Sequence, residues 1–210
     1  MEKIFWNVDT QYDFMRDDTD FKGKLPVPDA RKIENNLAKL TGLAKENGIY
    51  VVNTADWHNK DSPEIAENPD FVNTFPPHCL KNTKGAEYVP ATRPKNPYVV
   101  DWENQDLNLE EMAKKRNMVI YKDKFDVFAG NPHTNKIVEN LNPNKAIVYG
   151  VATNVCVDQA VRGLLERNVE VYAVTDAMKE LPNLPLPYEN WKEKGVNLVT
   201  TQKILENKLI

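Results

Sequence analysis

Short apolar, β-branched runs alternate with helix-patterned segments along most of this chain, and that alternation limits the possible folds more than any other feature. The runs are KIFWNV (3–8), IYVVNTA (49–55), MVIYK (118–122), AIVYGV (146–151), VEVYAVT (169–175) and NLVTT (197–201). Most are near-continuous rather than alternating, as expected of parallel strands covered on both faces. Between them, PDARKIENNLAKLTGLAKENG (28–48) opens with Pro-Asp and closes with Gly, as a helix should. Its Ile33, Leu37, Leu40 and Ala44 lie on one helical face. LNLEEMAKKRN (107–117) reads as a second helix, and the segment after Cys156 as a third, with Val157, Ala160, Val161 and Leu164 in a stripe. YENWKEKG and QKILEN are shorter helices. This βαβ rhythm predicts an α/β domain over residues 1–210 in three layers, α/β/α, around a doubly wound six-stranded parallel sheet.

Composition narrows the functional classes. The 210 residues are 41% hydrophobic and 28% charged, and 27 basic against 31 acidic side chains leave a net charge of -4. Mild acidity gives no basis for binding nucleic acid or anionic lipid. The opening MEKIFWNVDTQYDF lacks the long apolar stretch of a signal peptide, and no run approaches the ~18 apolar residues of a membrane span. The expectation is a cytoplasmic protein whose two cysteines, Cys79 and Cys156, are free thiols.

Ligands of open α/β sheets sit beyond the carboxyl ends of the strands. There the first strand delivers Asp9, the second Asp56 with His58 beyond it, the third Lys122 and then Lys124. The fourth leads through GVATNVC to Cys156 at a helix start. A thiol at that position is favoured as thiolate by the helix N-terminus and by a nearby ammonium such as Lys122. Asp9 can exchange its proton as general base and acid. Backbone N–H groups of Ala152 and Cys156 are the candidate oxyanion donors. Each residue alone has a bland reading: a buried small hydrophobe, a turn cap, a solvated strand end. With strand order 3-2-1-4-5-6, Asp9 and Cys156 are neighbours, whereas Lys122 starts about 10 Å from the first strand. The segment from Trp57 to about Gln105 is long, rich in Pro and Asn, weakly periodic, and holds two of the three histidines. Such a loop is usually functional.

Three segments resemble the isochorismatase-like cysteine hydrolases, and among them the nicotinamidases. DTQYDF (9–14) is similar to the family's opening motif, KDKFDVF (122–128) to its lysine segment, and GVATNVCV (150–157) to its nucleophile turn. The resemblance runs from the first strand to GVNLVTTQKIL and implies the isochorismatase-like hydrolase fold. It makes Asp9, Lys122 and Cys156 a catalytic triad, places a cis peptide between Val151 and Ala152, and puts Phe14 in the ring pocket. It further implies a divalent metal, zinc before iron or manganese, on Asp56, His58 and His78. Asp70 is the candidate for a fourth ligand, with Glu64 and Glu67 as rivals. His133 reads as surface and Cys79 as packing.

Two departures stand out. Phe125-Asp126-Val127 replaces the family's Tyr-Ser-Ala, and Asn154 stands where nicotinamidases commonly carry Asp. The expected activity is hydrolysis of a small carboxamide, nicotinamide to nicotinate and ammonia through a thioester, by a homo-oligomer. The alternatives are a metal-free relative acting on a ureido, carbamoyl or isochorismate-like substrate, and a non-catalytic binding protein on the same fold.

Overall fold

The computed structural model describes residues 1–104 and 106–206. Gln105, where the long loop is expected to end, and Asn207 of the QKILEN helix lie outside the described residues.

Strands β1 (Lys3–Val8), β2 (Tyr50–Asp56), β3 (Tyr98–Val100), β4 (Asn117–Lys122), β5 (Lys145–Val151), β6 (Glu170–Lys179) and β7 (Asn197–Val199) form one sheet. Its order is β3-β4-β2-β1-β5-β6-β7, with every pairing parallel. The sheet therefore has seven strands among the described residues, where six were expected. The extra one, β3, is three residues long and lies inside the Pro- and Asn-rich segment, too short to carry a periodic signal. It adds to the edge beyond β4, so the inner order is the expected one and the switch point falls between β1 and β5.

The two faces of each strand fill two cores, because successive side chains point to opposite sides. Ile4, Trp6 and Val8 face one core with α3 (Leu109–Lys114), α4 (Val127–Gly130), α5 (Thr134–Leu141), α6 (Cys156–Glu166) and α7 (Tyr188–Glu193). Phe5, Val51, Ile147 and Tyr149 face the other, with α1 (Tyr12–Met15), α2 (Glu34–Glu46) and α8 (Thr201–Glu206). Covering both faces explains the near-continuous apolar strands. The helix read over 28–48 begins as a 3₁₀ turn, Ala30–Ile33, before α2 proper. The sequence reading missed α5, although Ile137, Val138 and Leu141 line its buried side. At two turns between Asn- and Pro-bearing loops it is short for a periodicity argument.

One glycine fixes the switch point. Gly150 has φ +123°, and a Cβ there would meet the Val8 carbonyl oxygen at 2.1 Å. Only glycine allows the end of β5 to pass so close to the end of β1. The turn that carries Cys156 is thereby laid beside Asp9.

Candidate active site

Asp9 is the first residue past β1, at φ +48°, a left-handed turn that aspartate tolerates. It is fully buried; Thr54 donates its hydroxyl to Oδ1 at 2.6 Å. Lys122 ends β4, in register with Asp56 at the end of β2. Its Nζ lies 3.0 Å from Asp9 Oδ2, donates to Asp56 Oδ1, and stands 3.9 Å from Cys156 Sγ. The long lysine side chain thus spans the end of β2 and closes the gap that strand order alone leaves open. Asp9, Lys122 and Cys156 meet in one buried spot.

The electrostatics follow from that crowding. Burial alone would depress the Lys122 ammonium, but Asp56 and Asp9 reverse this and hold it well above the usual lysine range. Asp9 is raised as well: burial and the neighbouring Asp56 outweigh the Lys122 ammonium. Burial, with Asp9 and Asp56, also pushes the Cys156 thiol up against the opposing pull of Lys122. The sequence expectation of a depressed thiol is therefore corrected. An Asp9 carboxylate oxygen and Cys156 Sγ lie within 4.8 Å of each other.

Asp56 belongs to a second cluster as well. Its Oδ2 lies 3.7 Å from His58 Nε2 and 3.5 Å from His78 Nε2. Ligands held 2.0–2.1 Å from one tetrahedral ion stand roughly 3.4 Å apart, so this donor set fits such an ion. Two further observations support the fit. Both ring nitrogens of fully buried His58 lack a hydrogen-bond partner among the described residues. His78 Nδ1 lies 2.8 Å from the Pro76 carbonyl, which can only accept; the ring therefore keeps its Nδ1 hydrogen and turns Nε2 toward Asp56. Burial would lower His78, yet Asp56 raises it, so the carboxylate draws positive charge to that point. The neighbouring set of Asp9, Asp56 and Cys156 is equally compact, but the Lys122 ammonium already sits among its members.

The expected fourth ligand is elsewhere. Asp70 is exposed, and its Oδ1 accepts from the N–H groups of Val72, Asn73 and Thr74 at 2.8–2.9 Å. Those bonds hold it well below the usual carboxylate range and tie it to its own turn. Glu67 is exposed too. Glu64, the other rival, is buried at the wall of the site, accepts from Phe125 N–H at 2.8 Å, and is pushed up to about 7 by burial and Asp56. It is not one of the three converging donors.

Two polar residues of DTQYDF have positions that sequence reasoning left unassigned. Gln11 donates to the Asp56 carbonyl at 2.7 Å and accepts from Asp56 N–H at 2.8 Å. Asp13 accepts from Cys79 N–H at 2.7 Å, directly after His78. Gly85 makes room for it, since a Cβ there would fall 2.1 Å from Asp13 Oδ2. The motif thus supplies one carboxylate to the first cluster and two clamps on the second. Cys79 itself is fully buried, with Sγ 3.9 Å from the Gly85 carbonyl, as packing requires. His133 is half-buried, away from both clusters, with Nε2 2.7 Å from the Asn104 carbonyl.

A small pocket opens on Cys156, Asp56, Glu64 and His78. Its walls are Phe14, Leu25, Val27, Phe75, Phe125, Val155 and Leu181, and no lysine or arginine lines it among the described residues. Phe14 packs against the His78 ring at 5.4 Å. The Val151–Ala152 peptide is cis. In the nucleophile turn, Thr153 N–H donates to Lys179, and the N–H groups of Val155 and Val157 to Ala152. No backbone bond takes the N–H of Ala152 or Cys156 among the described residues.

The sequence model of the Isochorismatase domain matches residues 4–185, from β1 past the nucleophile turn. The chain belongs to the isochorismatase family. A curated relative, the nicotinamidase/pyrazinamidase of Mycobacterium tuberculosis, is 32% identical over 88 residues, 40% of this chain. That match spans 42% of the relative's own length, less than half of it. The crystal structure of a pyrazinamidase of Pyrococcus horikoshii in complex with zinc superposes with a TM-score of 0.71 at 27% identity, covering 95% of this chain and 99% of that one. An N-carbamoylsarcosine amidase from Thermoplasma acidophilum shares the fold, with a TM-score of 0.72 at 20% identity, covering 96% and 97%. Within this isochorismatase-family fold, no helix among the described residues is long and apolar enough to cross a membrane.

Proposed function

We propose that the chain is a cysteine-dependent amidase acting on a small, uncharged aromatic carboxamide of the nicotinamide type. The observation that carries this reading is Lys122 Nζ standing 3.0 Å from Asp9 and 3.9 Å from Cys156 Sγ, with Cys156 opening on a pocket walled by three phenylalanines.

Asp9 takes the proton from Cys156 Sγ as sulfur attacks the carboxamide carbon. Its raised carboxyl suits a group that must both accept and return a proton. The oxygen that gains negative charge faces the uncommitted N–H groups of Ala152 and Cys156, and each such donor contributes on the order of 3 kcal/mol. Asp9 then hands its proton to the departing nitrogen, releasing ammonia and leaving a thioester. With Asp9 again as base, water attacks the thioester carbon and frees the acid and the thiol. Lys122 stays charged throughout and offsets the carboxylates on either side. Asp56, His58 and His78 would hold a divalent metal, zinc being the best match to the donor set and spacing. Bound there, it supplies a Lewis-acid anchor for a ring nitrogen or water at the pocket wall.

The ureido-amidase alternative meets an electrostatic obstacle. N-Carbamoylsarcosine bears a carboxylate, and among the described residues the pocket lining holds Asp56 and Glu64 but no lysine or arginine. An uncharged ring fits the three phenylalanines better.

Ammonia release from nicotinamide tests the reading, with Cys156→Ala as control. The alanine variant should lose at least about 10³-fold in kcat, the scale of a lost nucleophile. Wild-type rates in that variant would end the thioester mechanism.

A further inference from the structure

Asn154 departs from the nicotinamidase pattern, and its geometry gives the departure a use. Its Oδ1 accepts from Leu181 N–H at 3.0 Å. Its Nδ2 donates to the carbonyls of Leu181 at 2.9 Å and Leu184 at 3.2 Å. The partners themselves assign the amide, since an N–H must meet oxygen and a carbonyl must meet nitrogen. These three are the only hydrogen bonds made by the backbone of residues 181–186 among the described residues. Residues 182–186 are exposed, while Leu181 turns inward and lines the pocket beside Cys156.

We infer that Asn154 is a positioning residue for substrate selection: its side-chain amide clips the Leu181–Leu184 segment to the nucleophile turn and so sets the wall that Leu181 makes over Cys156. The clip needs an amide. A carboxylate could still accept from Leu181 N–H, but it has no hydrogen for the two carbonyls and would set negative charge against their oxygens. The residue two before the nucleophile is thereby tied to the segment that brings Leu181 into the pocket wall. The inference deepens the amidase reading and rests on it for its kinetic arm alone.

The test compares the full chain with Asn154→Ala and Leu181→Ala. In Asn154→Ala, which removes all three bonds, hydrogen exchange at the Leu181 amide and iodoacetamide alkylation of Cys156 should each quicken on the order of tenfold, about one lost buried hydrogen bond. Alkylation of Cys79 should not change. KM for nicotinamide should rise about tenfold while kcat moves less than about threefold, the mark of a lost binding wall rather than damaged chemistry. Leu181→Ala should reproduce the faster Cys156 alkylation and the KM rise with Asn154 intact. Wild-type exchange and alkylation in Asn154→Ala would overturn the clip, and wild-type alkylation and KM in Leu181→Ala would overturn the wall. Should Asn154→Ala fail to fold, Asn154→Ser takes its place with the same expectations. If the wild-type chain leaves nicotinamide untouched, the amidase reading falls, while the exchange and alkylation arms still decide the clip.

Discussion

The two buried clusters at the carboxyl edge of the sheet are built in different ways. Asp9, Lys122 and Cys156 each sit one step from a strand end or at a helix start, so sheet register sets their spacing. His58 and His78 leave the sheet for the long loop, and their spacing depends on side-chain clamps: Gln11 on Asp56 and Asp13 on the backbone after His78. Asp56 joins the two, with one oxygen for Lys122 and the other facing the imidazoles. Regular structure suffices to bring a carboxylate, an ammonium and a thiol together. A cation site that draws on a loop needs its own scaffold.

The most severe break in that contrast is Asp56→Asn. Removing the shared charge should cut bound metal to well below stoichiometric and lower amidase kcat/KM by at least about 10²-fold, because a buried lysine loses one of its two counter-charges. Metal analysis beside the ammonia assay checks this, and full activity in a metal-free Asp56→Asn protein would show the clusters to be independent. Asp13→Ala should separate them more gently. It leaves Cys79 N–H without an acceptor and loosens His78, so metal affinity should fall roughly 10- to 100-fold while Cys156 alkylation keeps its rate. Competition with a chelator of known affinity measures the first, mass spectrometry the second.

Glu64 tests the electrostatics at the pocket wall in chelator-treated protein. Its carboxyl, ordinarily near 4.5, is raised to about 7 by burial and Asp56. A raised group contributes its stability in full below its unfolded value and loses it as pH climbs through the folded one. The wild type should therefore weaken relative to Glu64→Gln between about pH 4.5 and 7, by a few kcal/mol in total. Urea unfolding at pH 5 and pH 8 reads the difference, and parallel curves would refute the burial argument. The smallest effect belongs to Asp70→Ala, whose carboxylate serves only its own turn. Metal content should be unchanged and activity within about twofold, since exposed substitutions away from a site seldom reach far. A lost metal equivalent would restore Asp70 as a ligand.

The sequence announced the layers, the strand order and the nucleophile turn, because these rest on local periodicity and on glycine and helix-start chemistry that act within a few residues. It missed β3 and α5, which are too short to show a period, and spacing along a loop does not say that Asp70 stays exposed while Glu64 turns inward. It read the helix start and the ammonium as favouring the Cys156 thiolate, and could not weigh against them the burial beside two carboxylates.

From the sequence alone came which groups stand at which strand ends, for in a parallel sheet the side-chain period and the order of strands follow from local pattern. Only the tertiary structure decided which of those groups meet: that Lys122 crosses β2 to reach Asp9, that Asp56 serves two clusters, and that the Asn154 amide bonds the backbone of Leu181 and Leu184. Each is a contact between segments tens of residues apart, and desolvation and Coulomb energies depend on distances of a few ångströms that no local pattern encodes.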